Sequence, residues 1–490
     1  MTSTDSRSGH GGTAAQTAIP VSKRWFALAV LALAQLMIGL DATIMNIALP
    51  SAQADLHAAD ADRAWVITAY TLALAGLLMV GGRIADYLGR KRAFLIGLAG
   101  FCVASAVGGA AASFGMLVAG RALQGAFAAV LTPAVLSLLT VTFTEPKERA
   151  KAFAVYGAIA SGGGAVGLLL GGFLTEHASW RWTLYVNVLI GLAVGIAGAL
   201  IFVGTESGSR ARFDIPGVLL VSGGLVAVVY ACSEAVTATW SSTEVITLLI
   251  TSAVLLAGFV LWESRAAQPL LPLRVLKDRN RVGPCIASGL AVVGMFGMFL
   301  LLTYYFQVVL GYSPVMAGLA FLPMVIGIAV SAFFIASPLL PKVPPRFLIA
   351  PGLVVAAVGL WLLTFLTVDS GFVAYTLPAE VLIGLGLGVV ITPGFSVATQ
   401  NVDRRDAGVV SALVSTAQQI GGSVGTALLN TIAASATVAY LATHDPADEK
   451  PALVHGYTTA TAWAAGILLV AAVLAAILIN APKPAPRPQG

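Results

Sequence analysis

The stretch Gly81-Gly82-Arg83-Ile84-Ala85-Asp86-Tyr87-Leu88-Gly89-Arg90-Lys91-Arg92 lies between two long apolar runs. Its basic cluster is too costly to place inside a lipid bilayer. Its glycines allow a tight bend, and its aspartate is of a type that caps helix ends. The stretch therefore predicts a short charged turn that joins two membrane-spanning helices.

The composition of the whole chain agrees with a protein that crosses a membrane many times. Hydrophobic residues make up 58% of the 490 residues and charged residues only 10%. The net charge of +5 does not indicate nucleic-acid binding, because the charges fall in short segments between apolar runs. The three cysteines lie inside apolar runs, so neither a disulfide framework nor a metal site is expected.

Apolar windows of about 20 residues predict fourteen transmembrane helices. They cover 25–49, 64–82, 93–112, 115–140, 151–174, 183–204, 214–234, 244–262, 284–307, 315–337, 346–366, 372–399, 407–432 and 458–480. Of the 27 basic residues, three lie in the loops of one side and Arg121 lies within a span, which leaves 23 on the side of both termini. The positive-inside rule therefore predicts that both termini are cytoplasmic.

An internal repeat predicts how the helices are divided. Thr132-Pro133 recurs 260 residues later as Thr392-Pro393, which superposes spans 4 and 5 on spans 12 and 13. An all-α membrane protein with two pseudo-symmetric six-helix bundles and two extra helices, 6+2+6, is expected. Such paired bundles are the usual architecture for alternating access. The predicted parts are a disordered cytoplasmic tail at 1–22, a bundle at 23–204, a two-helix insert with cytoplasmic linkers at 205–282, a bundle at 283–480 and a cytoplasmic tail at 481–490.

An ionisable residue inside a membrane span has a high free-energy cost, so its presence there indicates a function. Asp41 is such a residue, and a carboxyl group in apolar surroundings takes up a proton more readily than in water. Arg121 lies at a similar depth, about 9 Å from the outer end of its span against about 12 Å for Asp41. A nearby Arg121 would oppose the effect of burial on Asp41. The alternatives are that Asp41 is permanently paired or caps a helix break, and that Arg121 only snorkels outward as an anchor.

A further acidic residue and several amides complete the candidate site. Glu380 should lie at a similar depth in the second bundle, either as a second proton or cation site or facing the outer vestibule. Apolar helix walls with a few amides suit large amphiphilic substrates better than sugars. The possible substrate-pocket groups are Gln35, Asn46, Gln124, Tyr304, Gln307, Gln418 and Gln419.

These motifs resemble those of the major facilitator superfamily. Residues 81–92 resemble its loop between helices 2 and 3, G-x-L-A-D-R-x-G-R-K, with Tyr87 where a basic residue is usual. Residues 40–50 resemble the first-helix motif L-D-x-T-x-x-N-x-A-L-P of the fourteen-helix drug:proton antiporter branch. Residues 117–125 resemble the fourth-helix motif, in which an arginine and a Gln-Gly pair are fixed.

The fifth span carries a glycine run that resembles the antiporter motif G-x-x-x-G-P-x-x-G. Gly164 stands where proline is expected, which removes a kink and weakens the case for export. Plain helix packing is the alternative role of the run. The resemblance implies conformational gating by Gly82, Asp86, Gly89, Arg90, Lys91, Gly163, Gly164 and Gly167.

The resemblance implies a function as well as a fold. The expected protein is a multidrug-efflux antiporter of a bacterial cytoplasmic membrane, and it exports hydrophobic or cationic antibiotics in exchange for protons. Asp41, Arg121 and Glu380 would couple the proton, and the partners are the small-molecule substrate, protons and the bilayer. No nucleic acid, metal, cofactor or enzyme activity is expected, and the chain should be a monomer. A dedicated exporter of one endogenous metabolite or lipid-like compound, and a non-transporting scaffold or receptor, remain as alternatives.

Overall fold

The computed structural model describes residues 21–59, 62–143, 145–202, 214–266, 277–399, 407–445 and 449–481. Within these ranges the chain forms helices and no strand, as the sequence predicted. Long helical segments coincide with all the predicted spans. They are α1 Val21–Asp55, α2 Trp65–Leu88, α3 Arg90–Gly109, α4 Phe114–Thr142, α5 Pro146–His177, α6 Trp182–Ile201, α7 Ile215–Ala238, α8 Thr243–Glu263, α9 Arg279–Val309, α10 Pro314–Leu339, α11 Arg346–Phe365, α12 Phe372–Ala398, α13 Ala407–Leu441 and α14 Glu449–Leu478.

Most of these helices have the length and hydropathy of a membrane crossing. Over the described residues, 12 helices are long and apolar enough to span a bilayer. The two outside this set are α5 and α2, whose apolar part is the shorter segment Trp65–Leu78. The predicted number of fourteen crossings therefore stays a prediction.

The helices pack in two groups with a seam between them. In the first group α1 contacts α5 and α6, and α4 contacts α2 and α3. In the second group α9 contacts α12, α13 and α14, and α11 contacts α12 and α14. The groups meet where α2 contacts α13 and where α5 contacts α10. The pair α7–α8 lies beside this seam, because α7 contacts both α2 and α13.

The charged stretch at residues 81–92 is helical and not a loop, which corrects the prediction. α2 continues to Leu88 and α3 begins at Arg90, so Gly89 alone separates them. Gly89 has φ 83°, a left-handed backbone conformation that residues with a Cβ rarely adopt. The Asp86 backbone lies within α2, and its side chain is outside the described part of the structure. The turn thus depends on one glycine.

Lys91 lies just after this turn and joins α3 to α6. Its Nζ donates a hydrogen bond to Ala199 O at a distance of 2.8 Å. Ala199 is in the last turn of α6, where backbone carbonyls lack partners within the helix and attract positive charge. We refer below to this side of the helices as the Gly89 end. The opposite side, where α1 ends and α2 begins, is the Arg63 end.

Gly81, and not Gly82, makes the closest approach between helices in the stretch. A Cβ built on Gly81 would overlap Ala129 O in the backbone of α4. A Cβ on Gly82 would have Pro133 Cβ as its nearest neighbour at 4.0 Å, an ordinary contact. The sequence motif alone does not distinguish two adjacent glycines, whereas the packing of α2 on α4 does.

Candidate functional site

Polar side chains from five helices of the first group meet around Asp41, near the middle of the membrane-spanning part of α1. All are at most 1% exposed, so the cluster is closed to solvent. We call it the Asp41 cluster, and its members are Asp41 of α1, Tyr70 of α2, Ser105 of α3, Arg121 and Gln124 of α4 and Asn187 of α6.

Asp41 accepts hydrogen bonds from three side chains. Arg121 Nη1 donates to Asp41 Oδ2 at 2.6 Å. Gln124 Nε2 and Asn187 Nδ2 donate to Asp41 Oδ1 at 2.9 Å and 2.7 Å. These three donors use both carboxyl oxygens of Asp41, and an ionised carboxylate offers them only acceptors. In this conformation the Asp41 charge is balanced by Arg121 and fully hydrogen-bonded, which offsets the cost of its burial.

Arg121 is fixed in place by further contacts. Its Nε donates to Val66 O at 3.1 Å and its Nη1 to Gln124 Oε1 at 2.9 Å. Its guanidinium carbon lies 4.3 Å from the centroid of the Tyr70 ring, in a cation–π contact. Arg121 therefore points into the bundle and does not snorkel outward.

The structure brings together residues that the sequence predicted separately. Asp41 and Arg121 were expected at similar depth, and their side chains are in direct contact. Gln124 was predicted as a pocket group, but it lies in the Asp41 cluster, where its Nε2 also donates to Ser105 Oγ at 2.7 Å. Asn187 and Ser105 had been assigned no role. Each is a polar residue in a predominantly apolar segment of the sequence.

The glycine run of α5 packs against the turn of α1 that carries Asp41. A Cβ on Gly163 would lie 3.4 Å from Gly39 Cα, and one on Gly167 would overlap Thr43 Oγ1 and lie 2.7 Å from Leu40 O. Thr43 Oγ1 also donates to Gly164 O at 3.0 Å. The absence of side chains at Gly163 and Gly167 thus brings the α5 backbone against α1.

We expect Gly167→Ala to impair transport strongly and Gly164→Ala to leave it nearly unchanged. The new methyl group at position 167 would force α1 and α5 apart beside Asp41. At position 164 the nearest atom to a Cβ is Thr43 Cγ2 at 3.7 Å, which is ordinary contact. Transport rates of both variants at equal membrane abundance test this difference. Equal rates for the two variants would contradict the importance of this packing.

Arg63 joins the two groups of helices at the Arg63 end. Its side chain is only 3% exposed, and its Nε donates to Asn430 Oδ1 of α13 at 2.9 Å. Its guanidinium carbon lies 3.9 Å from the ring centroid of Tyr304 of α9. The Tyr304 hydroxyl donates in turn to Gln53 Oε1 of α1. We call these four residues the Arg63 closure.

Two further hydrogen bonds cross the seam between the groups. Gln307 Nε2 of α9 donates to Ile47 O of α1 at 2.9 Å. Thr71 Oγ1 of α2 and Ser423 Oγ of α13 lie 2.6 Å apart. Tyr304 and Gln307, both predicted as pocket groups, therefore take part in contacts between the two groups of helices.

The remaining predicted pocket residues differ in their surroundings. Gln35 Oε1 accepts a 2.5 Å hydrogen bond from the Tyr156 hydroxyl. Asn46 folds back onto its own helix, with Nδ2 donating to Thr43 O at 3.2 Å. Gln418 and Gln419 are half-buried on α13. These residues do not gather into one site with the Asp41 cluster, and their role in substrate binding stays a prediction.

Glu380 lies apart from the Asp41 cluster, in the second group of helices. Its side chain is completely buried, so it does not face an open vestibule. Among the described residues neither of its carboxyl oxygens has a hydrogen-bond partner.

Comparison with known proteins identifies the family. Residues 31–426 match the Major Facilitator Superfamily, and this is most of the chain. The chain belongs to the Major Facilitator Superfamily. This membership makes it a multi-pass membrane transporter and not an enzyme.

Several relatives of this superfamily chain are named for antibiotics. It is 50% identical over 465 residues to the puromycin resistance protein of Streptomyces alboniger. The alignment covers 94% of this chain and 92% of that protein. It is 39% identical over 414 residues to the cephamycin export protein of Amycolatopsis lactamdurans, covering 84% and 85% of the two chains. A multidrug efflux pump of Mycolicibacterium smegmatis is 34% identical over 425 residues, covering 86% and 83%.

Solved structures confirm the superfamily fold. A bacterial homologue of the human lysosomal transporter Spinster aligns with a TM-score of 0.67 at 17% identity. The alignment covers 94% of this chain and 98% of the other.

Proposed function

We propose that the protein exports hydrophobic or cationic antibiotics from a bacterial cell in exchange for protons. The observation that carries this proposal is the Asp41 cluster: a buried carboxylate held by Arg121 and two amides within apolar helices. Ionisable groups at such depth mark proton and ion pathways in transporters. The antibiotic substrates are proposed from the names of the relatives.

The Asp41 cluster offers a way for one proton to change the packing of the first bundle. When a proton binds Asp41, the carboxyl group loses its charge and its strong interaction with Arg121. Arg121 retains hydrogen bonds to Val66 O and Gln124 Oε1, so its charge stays solvated by polar groups. α1 is then less tightly held to α4 and is freer to shift against the glycines of α5.

A shift of α1 would reach the second bundle directly. Ile47 lies less than two turns beyond Asp41 on α1, and its carbonyl accepts the hydrogen bond from Gln307 of α9. Gln53, further along the same helix, belongs to the Arg63 closure. Protonation of Asp41 is thus linked through one helix to the contacts that hold the two bundles together.

The charge distribution supports an orientation for the cycle. By the positive-inside rule we place the Gly89 end and both termini in the cytoplasm and the Arg63 end outside. The bundles, proposed at 23–204 and 283–480 with the insert at 205–282, are then joined on the outside by the Arg63 closure. A proton that enters from outside and leaves to the cytoplasm would drive one cycle of alternating access. For an uncharged drug, each proton that moves down 100 mV supplies about 2.3 kcal/mol, enough for a roughly 50-fold gradient; a cationic drug exchanged for one proton is driven by the pH gradient instead.

A second candidate is a dedicated exporter of one compound. Of the three relatives described above, two carry the name of a single antibiotic, puromycin or cephamycin, whereas the one from Mycolicibacterium smegmatis is named for multiple drugs. The proposed proton coupling at Asp41 is the same in both cases. The breadth of the resistance profile separates them.

The test is a susceptibility profile of a drug-sensitive bacterium with and without the chain. We expect the chain to raise the inhibitory concentration of puromycin at least several-fold, and to raise those of other amphiphilic cations if it is a multidrug exporter. Collapse of the proton gradient with an uncoupler should restore accumulation of the drug. An unchanged susceptibility to every compound, with the chain present in the membrane, would contradict export. Accumulation insensitive to the uncoupler would contradict proton coupling.

A further inference from the structure

Several buried polar side chains in the described part of the second bundle lack a hydrogen-bond partner, and three of them lie in the halves of α9 and α12 nearest the Arg63 end. These three are Thr303 of α9 and Thr376 and Glu380 of α12, and each is 0% exposed. Among the described residues, neither threonine hydroxyl nor either Glu380 oxygen has a hydrogen-bond partner. Buried polar groups are normally hydrogen-bonded, so three such groups on neighbouring helices require an explanation.

Aromatic contacts show that these side chains lie on converging faces. Phe321 of α10 packs against Phe299 and Phe306 of α9, with ring centroids 4.9 Å and 5.4 Å away. Thr303 lies between these two phenylalanines at helical spacing. Phe306 also lies 6.1 Å from Phe372, one helical turn before Thr376. Thr303 and Thr376 are therefore each about one turn deeper than the Phe306–Phe372 contact.

Glu380 follows one turn beyond Thr376 and faces α10. The Met324 backbone amide lies near its carboxyl group but does not form a hydrogen bond of ordinary geometry with it. At Gly384, one turn further, the two helices are so close that a Cβ would overlap Met324 O. Helical spacing therefore places Thr303, Thr376 and Glu380 on the faces of α9 and α12 next to the position where α10 is interrupted at Phe321, between segments Pro314–Ala320 and Leu322–Val330.

The charge of Glu380 has no counterpart in the surrounding helices. Glu380 is the only Asp, Glu, Lys or Arg in α10, α12 and α13, and the arginines of α9 and α11 lie at the far, Gly89 end. The 260-residue repeat places Arg121 of the first bundle opposite Val381, so the second bundle has the acid without the base. Other titratable groups on packed or connecting segments are Tyr304, Tyr305, Tyr312, Asp369 and Tyr375. Three charged groups contact α9 or α10 near the Arg63 end: Arg63 at the Tyr304 ring, Glu176 at Val315 N and Lys450 at Val309 O. Tyr304 and Tyr305 bond elsewhere, to Gln53 and to the carbonyls of Thr367 and Ser370, while Asp369 and Tyr375 are exposed.

We propose that Glu380, Thr303 and Thr376 form a second cation site, which holds one monovalent cation as a proton or a sodium ion. One carboxylate balances a single positive charge, and an all-oxygen set of one carboxylate and two hydroxyls suits a hard cation or a protonated carboxyl bridged by water. A divalent ion would keep an uncompensated charge. The contact between Phe306 and Phe372 closes the site toward the Arg63 end, so the cation exchanges only after the second bundle has moved.

The test uses the full-length chain in proteoliposomes with puromycin as the probe. The limiting drug gradient is measured against an imposed pH gradient for wild type and for Glu380→Gln. If the cation is a proton, we expect the variant to move one proton fewer, so its drug gradient falls about tenfold per pH unit. If the cation is sodium, replacing sodium by choline at constant pH lowers the wild-type gradient and leaves that of Glu380→Gln unchanged. Glu263→Gln, at another buried acid in the insert, is the matched control.

Two hydroxyl variants keep the proposal testable if Glu380→Gln fails to fold. Thr376→Val and Thr303→Val retain the carboxyl group, and we expect them to shift the proton or sodium dependence to higher cation concentration. Thr461→Val is the control, because that buried hydroxyl donates to a carbonyl within its own helix. Curves of all three valine variants that coincide with wild type, or a Glu380→Gln slope equal to that of wild type with no loss of sodium response, would overturn the proposal.

This inference rests on the proposed function only through the drug-gradient measurement. Infrared difference spectra of the purified chain test the site without a drug. A proton at the site gives a carboxylic-acid C=O band that Glu380→Gln removes, and a sodium ion gives a sodium-dependent carboxylate band that the same variant removes. Failure of puromycin transport with either band present would contradict only the drug assignment. Absence of both bands would contradict the cation site.

Discussion

Asp41→Asn should abolish proton-driven export of puromycin, the largest functional effect we expect from a single substitution. The amide keeps the size of the side chain but neither binds a proton nor balances the charge of Arg121. Arg121 is 1% exposed and would keep only uncharged hydrogen-bond partners, so we expect the variant to lose stability as well as coupling. Drug accumulation in cells and drug uptake into everted vesicles, each normalised to membrane abundance, measure the loss.

Two further variants separate loss of coupling from loss of folding. Asp41→Asn combined with Arg121→Gln removes both charges, so we expect better abundance than Asp41→Asn alone but no recovery of proton-driven export. Asp369→Asn makes the same chemical change at an exposed position and should export like wild type. Export by the folded Asp41→Asn variant at the wild-type rate would show that coupling lies elsewhere.

Gly81→Ala should be the most destabilising of the glycine substitutions in residues 81–92. Its Cβ would overlap a backbone oxygen, Ala129 O, so relief requires α2 and α4 to separate and not merely a side chain to turn. Overpacking of this kind costs about 1–3 kcal/mol or more. The thermal unfolding temperature of the purified protein in detergent, compared with that of wild type, measures the effect.

Gly82→Ala is the matched control, because the nearest atom to its Cβ is 4.0 Å away. We expect its unfolding temperature to lie close to that of wild type or slightly above, since alanine favours the helical conformation. If Gly82→Ala were as unstable as Gly81→Ala, the described packing of α2 against α4 would be wrong.

The sequence predicted the positions of the helices well because a bilayer imposes long apolar runs. The largest errors are at α13, predicted to end at residue 432 and extending to Leu441, and at α14, predicted from 458 and beginning at Glu449. The additional turns include polar residues, so an apolar window excludes them although the backbone remains helical. A helix can therefore extend beyond the apolar segment that fits the thickness of the membrane, as α13 and α14 do.

The candidate site was predicted only where a residue is unusual in its own helix. Asp41, Arg121 and Glu380 stand out as charges in apolar segments. The members of the Asp41 cluster on α3 and α6, Ser105 and Asn187, depend on how five helices pack, which helical periodicity does not encode. For the same reason the sequence predicted Tyr304 and Gln307 only as substrate-pocket residues. In the structure their hydrogen bonds connect the second bundle to α1 of the first.

The charged stretch shows how a motif can fix position without fixing conformation. Its basic residues correctly placed a boundary between two spans, but the same residues are compatible with helix. Only Gly89, with its positive φ, interrupts the backbone. A glycine followed by three basic residues carries no sequence mark that tells a one-residue break from a longer loop.

The central claim is that Asp41 exchanges a proton for each cycle of drug movement. The most direct measurement is proton movement in proteoliposomes with a pH-sensitive dye inside, when puromycin is added outside with the membrane potential clamped at zero. For wild type we predict a proton flux opposite in direction to the drug, and for folded Asp41→Asn none. Drug movement by wild type with no accompanying proton flux, or an undiminished proton flux in Asp41→Asn, would contradict the account.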